Sequence, residues 1–478
     1  MEKTSKEAKT EKANMAVRIK LDTLTDQQKK IIRQHLYFQP KKTNFAANKF
    51  ASVEKDPVLF YWVDKPNNEI VLPYTFANSL FQKHVNSELQ FPSGNFDFTG
   101  QLRPQQVEPV GKALEQLQTK GTTTLSFPTG FGKSISSIYL SSILLKQVGG
   151  IVLILNIRGT IEQGWITTIQ ESTNAGFWKI GTKMPPACNI ILSMDGQFHK
   201  IPVEIRKMVS VLVIDEAHLF CTPSQVATLL GVCPKYIIAC SATLERPDDM
   251  HRMIESMIGK HSVIVKNNKK FLVYKLNTGI ETELVKNKQG TTDFAALTRD
   301  LAFNPKRNAY IIDFIEQNKH LKIMILTWSK DHVTLLTDIL RERGESVDML
   351  AGTKSSYNDS RILVGTISKI STGFDCKNVA TNFNGIAIDT LILAGSTKSH
   401  NLHIQSIGRV FRSDSPQIIE LVDDNRISKS HWRERNKNYQ EMNCEIREFF
   451  INKPQNVAET NEKIHAARLK AFLEKTKA

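Results

Sequence analysis

Long apolar runs, paired cysteines and an excess of acid are all missing from this chain of 478 residues. No stretch approaches the roughly 18 consecutive apolar residues of a membrane-crossing helix, and no apolar segment follows the basic start, so a soluble intracellular protein is expected. The six cysteines, Cys188, Cys221, Cys233, Cys240, Cys376 and Cys444, show no Cys-x-x-Cys spacing. They read as reduced thiols, several of them in the core, and indicate neither a zinc site nor a disulfide framework. No nuclease-like metal cluster is apparent, and there is no internal repeat beyond two related α/β halves. Acid is outnumbered: Lys and Arg total 63 against 48 Asp and Glu, a net charge of +15. That surplus favours a polyanionic partner, nucleic acid ahead of a membrane surface.

The length suggests about three domains. Residues 1–14 are mixed in charge and almost free of apolar side chains, the composition of a disordered leader; a solvated tail is favoured there over a nucleic-acid-binding arm. Residues 15–98 read as a separate, small α+β accessory domain. Ala16 to Leu21 suits a strand, and Thr25 opens a basic amphipathic helix running to Leu36. Val58–Val63 and Ile70–Tyr74, flanking Lys65-Pro66-Asn67-Asn68-Glu69, suggest a β-hairpin. Its aromatics could grip a nucleic-acid strand, but Phe60, Tyr61 and Trp62 are more simply read as a small core. Residues 100–260 and 270–450 then form two α/β domains, joined by the polar segment Lys266–Lys270 and followed by a helical or flexible tail over 451–478. In the second half, Leu321–Trp328 and Arg361–Thr366 are apolar runs suited to buried parallel strands, and Ile418–Asp423 suits a last one. The basic run Lys429, His431, Arg433, Arg435 and Lys437 either contacts phosphates or is an exposed helix face.

Three motifs carry chemistry. Phe127-Pro128-Thr129-Gly130-Phe131-Gly132-Lys133-Ser134 follows a β-favouring run, Thr122–Leu125, and precedes apolar residues at helical spacing. Strand, glycine loop and helix is the order that wraps nucleotide phosphates in backbone N–H groups. Lys133 supplies a charge for the β and γ phosphates and Ser134 a hydroxyl for Mg²⁺, although Phe127 stands where glycine is common. Val209–Ile214 is a continuous apolar run ending in Asp215-Glu216-Ala217-His218, which puts carboxylates at the end of a buried strand where α/β sheets bind ligands. Asp215 is expected to hold Mg²⁺ and Glu216 to orient the attacking water. The plainer reading, that Asp-Glu only caps a helix, loses ground beside Lys133. A third strand, Tyr236–Cys240, ends at Ser241-Ala242-Thr243, with Arg246-Pro247-Asp248-Asp249 beyond it.

With these motifs in this order, the chain resembles the superfamily 2 helicases of the Asp-Glu-Ala-His type over about residues 100–435, and most nearly the UvsW-like and large-DNA-virus transcript-release kind. Leu102-Arg103-Pro104-Gln105-Gln106 is similar to the motif in which a glutamine, here Gln106, recognises adenine. Gly365-Thr366 to Gly373-Phe374-Asp375 resembles motif five, and Gln405-Ser406-Ile407-Gly408-Arg409-Val410-Phe411-Arg412 matches motif six. The His431-Trp432-Arg433-Glu434-Arg435 segment points the same way. Asn156-Ile157-Arg158 departs from the Pro-Thr of many relatives, while Gln163-Gly164-Trp165 still resembles the end of that motif.

The resemblance implies two tandem RecA-like domains. It implies an ATP site of Gln106, Pro128 to Ser134, Asp215, Glu216, Asp375, Gln405, Arg409 and Arg412, with catalytic roles for Lys133, Glu216, Gln405, Arg409 and Arg412. His218, Ser241, Thr243 and Gly373, with Asp375, would couple that site to nucleic acid. The expectation is an ATP-dependent, Mg²⁺-requiring helicase or translocase on DNA, or on RNA. A motor subunit of a nuclease or restriction complex and a binding scaffold with weak ATPase are the alternatives.

Overall fold

The computed structural model describes residues 17–41, 56–82, 89–157, 159–241, 245–246, 248–287, 290, 292–370 and 374–451. The leader, residues 452–478 of the tail, Arg158, Thr243 and Gly373 lie outside those residues. The chain divides into two compact units whose main boundary in sequence lies between Val265 and Lys266, with Pro128–Gly130 counted in the second.

In the first unit, seven parallel strands run in the order Val263–Ile264, Thr122–Ser126, Tyr236–Cys240, Val209–Asp215, Ile151–Asn156, Ile190–Met194, Phe177–Lys179. Every residue of Val209–Asp215 is buried, as a strand covered on both faces requires. Helices such as Pro104–Lys120 and Lys133–Val148 supply the cover. This is a RecA-like sheet with its loop strand and carboxylate strand two positions apart, separated by Tyr236–Cys240.

The N-terminal elements pack onto this unit. A small antiparallel sheet has the order Val17–Lys20, Glu69–Leu72, Trp62–Asp64. Thr25 caps the helix Asp26–His35 through a reciprocal pair with Gln28, in which Gln28 N donates to Thr25 Oγ1 and Thr25 N to Gln28 Oε1. The expected hairpin is shorter than its apolar pattern. Only Trp62–Asp64 pairs with Glu69–Leu72, whereas Val58–Leu59 pairs with Tyr37–Phe38, and Tyr74 begins a helix because Pro73 precedes it at the N-cap. Phe60 is fully buried, and Tyr61 and Trp62 pack against the same core. That core is continuous: Leu36, Phe60, Val71 and Leu72 belong to one cluster with Leu153, Leu212 and Met253. Thr75 Oγ1 also donates to the Met257 carbonyl at 2.8 Å.

The second unit repeats the design, again wholly parallel, in the order Val347–Leu350, Ile362–Thr366, Ile323–Thr327, Thr390–Leu393, Gln417–Val422, Phe271–Asn277, Cys444–Phe450. The basic run falls on the helix Arg426–Gln440 but is not one exposed face. His431 and Arg435 are buried, and the Arg435 guanidinium grips both Glu420 oxygens at 2.7–3.1 Å while Tyr439 Oη donates to Glu420 Oε1 at 2.8 Å. A buried carboxylate needs such partners, so this arginine is held inside the second unit.

Candidate active site

The loop after Thr122–Ser126 turns through two glycines with left-handed backbone, Gly130 at φ 80° and Gly132 at φ 107°. A Cβ on Gly132 would also collide with the Gln106 amide, so the loop tolerates no side chain there. Phe127, where glycine is common, is fully buried and meets the Phe131 ring edge-on at 4.9 Å. Lys133 starts the helix that follows, and its ammonium folds back to the Phe127 carbonyl at 3.2 Å. Ser134 stands beside it in the first turn. The positive end of the helix and the ammonium therefore face the same loop.

Gln106 lies in the first turn of the helix Pro104–Lys120. It is fully buried; its Oε1 accepts from Arg103 N at 2.7 Å and its Nε2 donates to the Phe131 carbonyl at 2.7 Å. Arg103 donates to that carbonyl as well. In this structure the glutamine ties the adenine-type motif to the phosphate-type loop.

Asp215 ends its strand fully inside the unit. Its Oδ2 accepts from the Trp165 indole N–H at 2.8 Å and its Oδ1 from Glu216 N at 3.0 Å. Burial, then the neighbouring Glu216 charge, push its carboxyl up to about 6, against the opposing pull of Trp165 and Lys133. Glu216 adopts the left-handed conformation at φ 49°, a strain of about 1–2 kcal/mol for a residue with a side chain. The turn sends its carboxylate inward, where Oε2 is buried without a hydrogen-bond partner. His218 Nδ1 lies 3.5 Å from that oxygen and 2.9 Å from Ser241 Oγ. Burial, aided by the Arg246 and Lys133 charges, lowers His218 to about 4, so the bond to Ser241 is made by a neutral ring.

These features fit a nucleotide carrying a divalent ion: an anion-binding loop, a buried carboxylate penalised for its charge and a second carboxylate with an unused oxygen. Among the described residues no group of three or more His, Cys, Asp or Glu has metal-holding geometry. An ion at Ser134 and Asp215 would complete its shell with phosphate oxygens and water, the habit of Mg²⁺.

In the second unit motif six begins in the last turn of the helix His400–Ile407 and runs past its end. Gln405 is buried within it. Arg409 Nη1 donates to the Phe374 carbonyl at 2.6 Å. Arg412 forms a two-pronged pair with Asp375, one prong at 2.7 Å, and Asp375 also caps the short helix Cys376–Val379 by accepting from Lys377 N at 3.0 Å. Burial alone would raise Asp375, but Arg412 holds it below the ordinary carboxylate range. Motifs five and six are thus fastened together within one unit.

Sequence reasoning gave no role to Trp165 or Arg246. Trp165 was visible only as the end of a motif, and its partner lies 50 positions away.

A protein-family model described as the res subunit of type III restriction enzymes matches residues 99–246. Protein 161L of Invertebrate iridescent virus 6, named as a helicase, is 28% identical over 410 residues, spanning 78% of this chain and 88% of that one. Protein 055L of Frog virus 3, also named as a helicase, is 27% identical over 72% of this chain and 79% of its own length. Protein 108L of Invertebrate iridescent virus 3, named as uncharacterized, is 39% identical over 22% of this chain and 91% of its own length. Among solved structures, yeast Dbp5 bound to RNA and ADP BeF3 is similar at 15% identity and TM-score 0.49, covering 77% of this chain and 98% of that one. T4 UvsW is similar at 16% identity and TM-score 0.35, covering 89% and 96%.

Proposed function

We propose that the chain is a superfamily 2 helicase, an ATP-hydrolysing motor acting on nucleic acid by strand separation or by displacement of what is bound. The observation that carries the reading is the cluster of Gly132, the Lys133 ammonium and a buried Asp215-Glu216 pair whose second carboxylate has an oxygen without a hydrogen-bond partner.

In this reading Gly130 to Ser134 bind phosphates through backbone N–H groups, and Lys133 offsets their charge. Ser134 and Asp215 would hold Mg²⁺, which when bound would neutralise charge on the β and γ phosphates. Glu216, aimed by its left-handed turn, orients the attacking water. Arg409 and Arg412 are the second unit's candidates for stabilising charge on a phosphoryl group. His218 and Ser241, bonded to each other, pass the state of that turn to the nucleic-acid-binding surface. Nucleic acid fits the net charge of +15. No helix among the described residues is long and apolar enough to cross a membrane.

A second reading, motor subunit of a nuclease assembly, has the match of residues 99–246 to the res-subunit model in its favour. ATP turnover measured with single-stranded DNA, duplex DNA, forked DNA and RNA tests the first: stimulation by at least one is expected. Equal turnover with and without every nucleic acid would sink the motor reading.

A further inference from the structure

The Arg246 guanidinium is placed to do more than decorate the loop after Ser241. Its Nε and Nη2 grip Asp248 Oδ1 and Oδ2 at 2.9 and 2.7 Å, a planar fork. Its Nη1 donates to the His218 carbonyl at 2.7 Å. Both side chains of the fork are largely buried.

The far end of this clamp is stiff. Asp248 Oδ1 accepts from Met250 N at 3.3 Å, and the turn closes through Asp249, left-handed at φ 62°, whose N–H reaches the Arg246 carbonyl at 3.0 Å. The N-terminal segment braces it. Lys41 N donates to the Asp248 carbonyl at 3.0 Å, and the Lys41 ammonium lies 3.0 Å from Asp249 Oδ2. The near end is the strained turn itself. His218 is two residues beyond Glu216, and its ring meets Ser241. One guanidinium therefore fixes the backbone that aims the Glu216 carboxylate.

We propose that Arg246 is a positioning residue for ATP hydrolysis, holding the Glu216–His218 turn in its productive shape against the Asp248–Asp249 turn. The proposal rests on the reading of Glu216 as the residue that orients water. Arginine is required by geometry. A lysine ammonium on the same stem is a point charge that can reach the His218 carbonyl or Asp248 but cannot reproduce the fork and the third bond together. The nucleotide-binding loop makes none of these contacts, so binding of ATP is expected to be spared.

Steady-state ATP turnover of the full chain, with thermal melting on the same samples, tests this in Arg246→Ala, Arg246→Lys and Asp248→Asn. Small misplacements of a catalytic group cost up to about 100-fold, so kcat of Arg246→Ala should fall by about 10- to 100-fold while KM for ATP stays within about twofold. Arg246→Lys should recover part of kcat, and Asp248→Asn should fall between wild type and Arg246→Ala. Should Arg246→Ala fail to fold, the other two variants decide by the same kcat–KM split. A kcat within about twofold of wild type in folded variants, or equal losses in kcat and ATP affinity, would overturn the proposal. Glu216→Gln runs alongside. If it turns over like wild type, the role given to Glu216 fails and takes the proposal with it. If it is inactive, the Arg246 result bears on the proposal alone.

Discussion

Trp165→Phe removes one hydrogen bond and part of one ring from beneath the candidate metal ligand. The lost bond, indole N–H to a buried carboxylate at 2.8 Å, is of the charged kind, worth about 1.5–3 kcal/mol. Trp165 is itself fully buried, so the smaller ring leaves a void costing on the order of 1 kcal/mol more. The first unit should thus lose about 2.5–4 kcal/mol, read by urea unfolding at pH 8, where Asp215 is ionised. The same bond orients the carboxylate. Partners of a metal ligand are typically worth 10- to 100-fold in metal affinity, so half-maximal ATP turnover should require about tenfold more Mg²⁺, with turnover at saturating Mg²⁺ much less affected. A stability loss with an unchanged Mg²⁺ requirement would reduce Trp165 to packing. A loss below about 1 kcal/mol would refute the hydrogen-bond reasoning as well.

Arg412→Ala should retain ATP binding but lose about 10³-fold or more in turnover if the arginine stabilises the transferring phosphoryl group. Asp375→Ala should lose far less, and equal effects of the two on melting temperature with turnover spared would instead make the pair structural. Arg435→Met should destabilise the second unit by about 3–5 kcal/mol, since it strands the buried Glu420 carboxylate; denaturant unfolding that shows under 1 kcal/mol would contradict the buried pair. Acid should unfold the second unit early. Burial, with help from Arg307 and Arg435 respectively, lowers His332 to about 3 and His431 to about 4, so the unfolded chain binds more protons below its own pKa near 6.5. Stability is then complete above that pH and falls as pH drops, by about 2 kcal/mol per histidine at pH 5. His332→Asn should flatten the pH dependence of urea unfolding; an unchanged profile would refute it.

The sequence determined the two parallel sheets, because a strand buried on both faces must be nearly continuously apolar, as Val211–Ile214 and Tyr236–Cys240 are. It also determined the glycine loop, where Gly130 and Gly132 take backbone angles that other residues resist. Edge and mixed-pattern strands escaped it. Phe271–Asn277 and Cys444–Phe450 carry alternating or exposed polar residues, and only their pairing partners make them strands. The N-terminal segment read as separate because its own pattern closes a small core. Its shared cluster with Leu153 and Leu212 depends on faces brought together from distant sequence. Hydrogen-bonded pairs were hidden for the same reason. Nothing local says that Trp165 serves Asp215, that Arg246 holds the His218 carbonyl, or that Arg435 belongs to Glu420 and not to solvent. Residue type and spacing announce which groups a site needs; which partner holds each one still is decided where the chain returns upon itself, since a buried polar atom binds whatever folding places within reach.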